Sequence, residues 1–196
     1  MENYEKETIA AIATALSDSG IGIVRISGEN AIYIVDSIFR SASGKKILTK
    51  VQSHMIHYGY IVDKDENIID EVMTSVMKAP KSYTMEDTVE INCHGGVLVM
   101  QKVLETVLQA GARLAEPGEF TKRSFLNGRI DLSRAEAVID VIHSQNEYAL
   151  SSSVSQLKGR LSDKIRSLRE DILYQIAFIE SALDDPEHIS LEGYPE

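Results

Sequence analysis

Two charged side chains lie on predicted strands and could contact a ligand. Arg25 shares one face of the strand 21–27 with Ile21 and Ile23, while the alternate residues form the other face. A charge on an otherwise apolar face requires a carboxylate or phosphate partner, because removing it from water alone is costly. Arg25 is therefore an anion contact, a member of an internal salt bridge, or a strand end that reaches solvent.

Glu90 is the second candidate, and it belongs to the predicted strand 88–93. Val89, Ile91 and Cys93 are apolar and predict the core face, which makes Cys93 a core residue, whereas Glu90 lies on the polar face between Thr88 and Asn92. That polar face is either solvated or the wall of a small-molecule site that offers a carboxylate acceptor.

Three other patterns are weaker. The stretch His94-Gly-Gly precedes a predicted helix, where free backbone N–H groups favour an anion, although the glycines also suit a tight turn. His54 and His57 have no nearby Cys or third ligand, so we do not predict a metal site. No G-x-x-x-x-G-K-[ST] stretch occurs, so we expect this chain neither to bind nor to hydrolyse GTP.

Composition restricts the class of protein. The formal net charge of −10 has the wrong sign for a free-standing nucleic-acid binder. A single cysteine allows no internal disulfide, the first residues do not form a signal peptide, and the apolar segment 8–17 is too short to cross a bilayer. These features predict a cytoplasmic protein that is not embedded in a membrane.

The first half of the chain predicts a mixture of strands and helices. Expected strands cover 8–15, 21–27 and 88–93, and a hairpin pairs 55–62 with 68–77 through a polar turn at 63–67. Helices are expected after Ser27, which would cap the apolar face 31–39, and from Val97 to Ala110, with Gly111 after the end.

The second half predicts helices alone. A short helix covers 119–126, Ser133 begins a capping-box pattern with Glu136, and a long helix follows Gly159 with an apolar stripe at 3–4-residue spacing. Two long helices bury little more than one stripe against each other, so we expect that the partner helices lie later in a longer parent sequence. The fold class is α+β, a mixed β-sheet domain followed by a partial all-α domain.

Three long stretches resemble the MnmE (TrmE) family of tRNA-modification GTPases. They are 20–28 (GIGIVRISG), 82–96 (SYTMEDTVEINCHGG) and 117–137 (PGEFTKRSFLNGRIDLSRAEA). The resemblance implies that residues 1–127 form a homodimerising domain that binds 5-formyl-tetrahydrofolate and is similar to folate-dependent aminomethyltransferases. Residues 128–196 would begin a helical domain, and a GTPase domain that uses GTP, Mg²⁺ and K⁺ would lie outside this chain.

The same resemblance implies partners and contact residues. Family members modify C5 of the wobble uridine of tRNA together with a flavoprotein called MnmG or GidA. Their folate contacts correspond to Arg25, Glu90 and Arg129 here, and the last of these replaces the family's lysine. Arginine keeps the charge but is bulkier and planar, which changes the geometry of that contact. The family's C-terminal Cys-x-Gly-Lys context does not match Cys93.

Overall fold

A computed structural model describes residues 7–184, and it divides the chain into two compact units, Met1–Ile130 and Asp131–Glu196. The first unit contains seven strands and three α-helices among its described residues. The strands are β1 Ile9–Ile12, β2 Ser19–Ser27, β3 Phe39–Ser41, β4 Met55–Val62, β5 Ile68–Met77, β6 Thr88–Gly95 and β7 Arg113–Leu114. The helices are α1 Ala31–Ile38, α2 Val97–Gln109 and α3 Glu119–Leu126.

The strands form one mixed sheet with the order β3-β4-β5-β6-β2-β1-β7. Neighbouring strands are antiparallel except β1 and β7, which run parallel. The predicted α+β class is confirmed. The hairpin prediction is also confirmed, because β4 and β5 have the predicted bounds and Asp63 Oδ1 accepts hydrogen bonds from the N–H groups of Asp65 and Asn67 at 2.9 Å.

One face of the sheet carries the hydrophobic core. Val24 and Ile26 of β2 and Val89 and Ile91 of β6 are fully buried in one cluster with apolar residues of α1 and α2. Burying a side chain of this size contributes about 1.5–3 kcal/mol, so this layer holds β2 against β6. Arg25 and Glu90, which alternate with these residues, must therefore lie on the opposite face.

That opposite face is open in its central part. Ile21, Ile56, Tyr58 and Met73 are about half or more exposed. Tyr58, Met73 and Asn92 lie in one row, because Tyr58 pairs with Met73 in the register of β4 and β5 and Met73 pairs with Asn92 in that of β5 and β6. Ile56 precedes Tyr58 by two residues and lies on the same face. An apolar patch of this kind on a sheet is typical of an interaction surface.

The second unit is helical throughout its described part. It contains α4 Leu132–His143, α5 Glu147–Leu157 and α6 Arg160–Asp184. The stripe predicted after Gly159 lies on α6, where Leu161, Leu168 and Ile172 remain between 47% and 61% exposed. These three side chains of the stripe are thus largely uncovered among the described residues.

Two predicted helix caps are wrong. Ser27 is the last residue of β2 and its side chain does not cap α1, whose N-cap position is Asn30. Ser133 lies inside α4, and Asp131 is the N-cap because its Oδ1 accepts from Arg134 N at 2.9 Å. The polar helix α5 was not predicted at all. The end of the long helix expected at 184–186 falls partly outside the described residues.

Among residues 7–184, no helix has both the length and the apolar character needed to cross a bilayer.

Candidate ligand-binding site

Arg25 and Glu90 contact each other across β2 and β6. They are register partners, and Arg25 Nε and Nη2 lie 2.8 Å and 2.7 Å from the same oxygen, Glu90 Oε1. The pair is partly exposed, with 30% of the Arg25 side chain and 23% of the Glu90 side chain accessible. Within residues 7–184, Glu90 Oε2 accepts no hydrogen bond. The carboxylate is therefore anchored through one oxygen and can accept through the other.

The ring of Tyr83 links this pair to Arg129. The guanidinium carbon of Arg25 lies 5.5 Å from the ring centroid of Tyr83, and that of Arg129 lies 5.0 Å from it. Phe120 of α3 adds a second ring, 5.7 Å from the Arg25 guanidinium. The structure thus places Arg25 and Arg129 against one aromatic side chain and pairs Glu90 with Arg25. Within residues 7–184, Arg129 forms no ion pair.

Hydrogen bonds from α3 and from the residue that follows it hold Tyr83 in place. Its hydroxyl oxygen lies 2.9 Å from Thr121 Oγ1, and the next carbonyl, of Thr84, accepts from Asn127 Nδ2 at 2.7 Å. Thr84 is fully buried. A ring held at its hydroxyl and by the backbone of the next residue offers a rigid surface for the two guanidinium groups.

The loop that carries Tyr83 is fixed further by Ser27. Its hydroxyl lies 2.6 Å from Thr84 Oγ1 and donates to Glu86 Oε2 at 2.8 Å. Glu86 in turn accepts from Arg123 Nη1, whose side chain is only 6% exposed. The Ser27 side chain therefore holds the loop that carries Tyr83 through hydrogen bonds, and it does not cap a helix.

A buried ion-pair network supports α3 beneath this loop. Arg123 also bonds to Glu119 Oε1 at 3.1 Å, and Arg113 bonds to both Glu119 oxygens. Burial raises the pKa of Glu119, but hydrogen bonds from Arg113, from the backbone N–H of Glu116 and from Arg123 outweigh it and lower the pKa to about 2. Glu119 is thus ionised at neutral pH and holds two arginines.

An open cavity of about 590 Å³ adjoins Tyr83. Residues from three parts of the first unit line it: His54, Met77, the stretch Pro80–Tyr83, Met85 and Arg129. It extends from Tyr83, the ring that also contacts Arg25, and is large enough for part of a small molecule. A second cavity, of about 540 Å³, lies between α5 and α6 and holds none of the predicted contact residues.

The turn at His94 does not require an anion to explain it. A side chain at Gly95 would collide with the backbone of Ser19, so the close approach of β2 accounts for that glycine. His94 is exposed, and its Nδ1 lies 2.7 Å from Asp70 Oδ1. This hydrogen bond raises the pKa of His94. The anion that contacts His94 is therefore the Asp70 carboxylate of the same chain.

Cys93 is a core residue, and the two histidines lie in different surroundings. Cys93 is 3% exposed, and burial raises the pKa of its thiol to about 11, so it is not a reactive thiolate at neutral pH. His54 lies at the rim of the cavity, whereas His57 Nε2 is buried and finds no hydrogen-bond partner among the described residues. Within residues 7–184 no group of three His, Cys, Asp or Glu side chains is arranged to hold a metal ion.

Sequence reasoning missed Tyr83 as part of the site. The signal was an aromatic residue in a mostly polar stretch, Lys81–Asp87, but one aromatic residue in a loop does not reveal which cations it will contact.

Comparison with known proteins identifies the family. Residues 8–129 match the family profile described as the GTP-binding protein TrmE N-terminus, and residues 132–194 match the MnmE helical domain. The chain is 63% identical over 190 residues to the tRNA modification GTPase MnmE of Lachnoclostridium phytofermentans, covering 97% of this chain and 41% of that protein. It is 55% identical over 189 residues to the protein of that name in Geobacillus kaustophilus, covering 96% and 41%.

The protein of the same name in Bacillus subtilis is 51% identical over 187 residues, which cover 95% of this chain and 40% of that relative. The chain thus spans about two fifths of the length of these relatives. With both profiles matched in order along the chain, it belongs to the MnmE (TrmE) family.

Proposed function

We propose that this chain is the folate-binding and self-associating part of a tRNA-modification GTPase. The parent protein acts in the cytoplasm with an MnmG-type flavoprotein on C5 of the wobble uridine of tRNA. Its GTP, Mg²⁺ and K⁺ belong to a domain outside this chain. The relatives' name, tRNA modification GTPase, supports the overall activity.

The contacts of Arg25 and Arg129 with the Tyr83 ring, together with the pairing of Arg25 and Glu90, carry the proposal of a folate site. A pterin ring presents paired N–H donors, and Glu90 Oε2 is an unoccupied acceptor among the described residues. Folate's carboxylates and carbonyl oxygens are acceptors, which suit the guanidinium groups of Arg25 and Arg129. The donor and acceptor sets of the site and of the ligand are therefore complementary.

The open face of the sheet supports self-association. Ile56 and Tyr58 of β4 and Met73 of β5 are 49% to 64% exposed on the face that also carries Arg25 and Glu90. A second copy of the chain would cover this patch and place the two ligand sites near the interface. The covered area would remove apolar side chains from water, which is the main favourable term in association.

A purely structural role of the first unit is the second candidate. The ion pair between Arg25 and Glu90 favours it, because an internal salt bridge is one of the roles that the sequence allowed for Arg25. An independent folate-dependent transferase fits less well. It needs an acid or base beside Glu90, and His94 on the same strand face lies roughly 13 Å further along β6 and is bonded to Asp70.

Isothermal titration with 5-formyl-tetrahydrofolate separates the two roles. The folate-binding proposal requires saturable binding to this chain, and p-aminobenzoyl-glutamate, which lacks the pterin ring, should bind much more weakly. A chain that is folded by circular dichroism and releases no binding heat, with no shift in its melting temperature, would leave the structural role as the better explanation.

A further inference from the structure

The cavity beside Tyr83 has an unbalanced charge. Lys81 and Arg129 line it, and none of its described lining residues is Asp or Glu. Neither cation forms an ion pair with any other residue of the described range 7–184. Two cations at the edge of one concave surface favour a ligand that carries more than one negative charge.

Within residues 7–184 the nearby carboxylates form no ion pair with these cations, and each accepts a hydrogen bond from another group. Glu86 accepts from Arg123 and Ser27, and Asp87 accepts from the backbone N–H of Ala79 at 2.8 Å. Glu90 is held by Arg25. Glu86 and Asp87 thus contact other parts of the first unit, Glu90 is paired with Arg25 through one oxygen, and Lys81 and Arg129 are left to the cavity.

The cavity also shares Tyr83 and Arg129 with the proposed folate site. Arg129 packs on the ring of Tyr83, and the same ring contacts the Arg25 guanidinium that holds Glu90. A ligand whose ring system is bound at Glu90 would extend past Tyr83 and bring its far end to Lys81 and Arg129. Folate has its carboxylates at that far end, and cellular folates extend this end with further γ-linked glutamates.

We propose that the cavity lined by Lys81 and Arg129 binds the anionic glutamate tail of a polyglutamylated folate. This inference rests on the proposed folate-binding function and adds the form of folate that the site prefers. Phosphates of an RNA are the other polyanion to consider. They fit less well, because the chain carries a net charge of −10 and the two cations line one cavity beside the folate contacts rather than an extended basic track.

The test compares the monoglutamate and triglutamate forms of 5-formyl-tetrahydrofolate by isothermal titration. Exposed ion pairs are individually weak, so we expect the triglutamate to bind about three- to tenfold more tightly at low salt. The preference should shrink as the ionic strength rises from about 0.05 M to about 0.5 M, because exposed pairs are screened.

Two matched variants test whether Lys81 is responsible for the preference for the triglutamate. Lys81→Gln should reduce the ratio of the two affinities to below about twofold. Lys102→Gln removes a lysine from the exposed side of α2, outside the cavity, and should leave the ratio as it is in the unsubstituted chain.

Three results would overturn the inference. Equal binding of the two folates would remove the tail subsite while leaving the proposed function intact, whereas no binding of either folate would remove both. If the folates bind equally and Lys81→Gln weakens tRNA binding in a filter assay instead, the cavity is an RNA contact.

Discussion

Arg25 contacts only one of the two carboxylate oxygens of Glu90. Both contacting nitrogens of Arg25 point to Glu90 Oε1, at 2.8 Å and 2.7 Å, and Oε2 accepts nothing from residues 7–184. An ion pair that served only to join β2 and β6 would gain more from the bidentate arrangement, with one nitrogen on each oxygen. The observed geometry anchors the carboxylate and leaves an acceptor available, and this arrangement allows the pair to hold a ligand without first breaking.

Replacing Glu90 by Gln should lower folate affinity with little effect on stability. The amide keeps an oxygen for Arg25 but presents a donor where the pterin N–H groups need an acceptor. A charge-assisted hydrogen bond contributes ~1.5–3 kcal/mol, so the Kd should rise roughly 10- to 150-fold in isothermal titration. Arg25→Ala should raise the Kd for folate by a similar factor, because it removes a donor to the ligand.

Glu66→Gln is the control for this substitution. It makes the same chemical change at another ion pair, that of Arg40 and Glu66, which lies at the β3 and β4 side of the sheet. The control should leave folate affinity unchanged. If Glu90→Gln lowers the melting temperature and the surviving folded protein binds folate as before, the pair at Arg25 is structural only.

Folate affinity should depend more on the ring of Tyr83 than on its hydroxyl. Tyr83→Phe removes the contact with Thr121 Oγ1, which should cost about 0.5–1.5 kcal/mol of stability and leave folate affinity within about twofold. Tyr83→Leu also removes the surface on which Arg25 and Arg129 pack, and cation–π contacts contribute about 0.5–2 kcal/mol each. Its Kd should therefore rise at least about fivefold. Equal affinities for the Phe and Leu variants would show that the ring does not position the two guanidinium groups.

Local patterns predicted the elements that local contacts determine. The bounds of β4, β5 and α3 followed from alternating or periodic apolar residues next to clear turn residues such as Asp63 and Asn67. Helix α5 was missed because the polar run Ser151–Ser153 has modest helix propensity and no strong apolar stripe. Asn146 begins this helix by accepting from Ala149 N, a local signal that the sequence contains.

Contacts between distant residues could not be predicted in the same way. Ser27 looked like a helix cap, but its hydroxyl is used by Thr84, 57 residues away. Arg25 was predicted to contact an anion, to join an internal salt bridge or to reach solvent, yet its partner Glu90 is 65 residues away in the chain, and only the register of β2 and β6 brings the two together. Their contact with folate stays a prediction that the titrations address.

Glu119 should make the first unit sensitive to acid. Its pKa in the folded chain is about 2, below the ordinary value of 4.5, so its ionised form stabilises the fold above about pH 4.5. This contribution, about 3 kcal/mol, is lost as the pH falls from about 4.5 to about 2. Glu119→Gln removes the titration, so the difference in unfolding free energy between the chain and the variant should shrink over that range.

Urea unfolding, read from the NMR signals of β2 and β6 amides at each pH, measures this difference. The pKa of Asp131 in the second unit is also lowered to about 2, chiefly by the hydrogen bond from Ser162, but that titration is present in both proteins and cancels. A difference that stays constant between pH 5 and pH 2 would contradict the role of Glu119.

Self-association should depend on the open sheet face. Met73 lies at the centre of this face, between Tyr58 and Asn92 in the sheet register, and is 49% exposed. Burying a side chain of this type contributes about 1.5–3 kcal/mol, and a buried unpaired carboxylate is strongly unfavourable. Met73→Glu should therefore raise the dimer dissociation constant at least about tenfold in sedimentation experiments at micromolar concentration.

Two further variants distinguish the open sheet face from other apolar surfaces of the chain. Leu98→Glu changes a side chain of α2 that is 66% exposed, on the helix-covered side of the sheet, and it should leave the dimer unchanged. Leu168→Glu lies on the apolar stripe of α6, which is also exposed among the described residues. Association that survives Met73→Glu and is lost in Leu168→Glu would assign the contact to α6, because a glutamate disrupts only the interface in which it becomes buried.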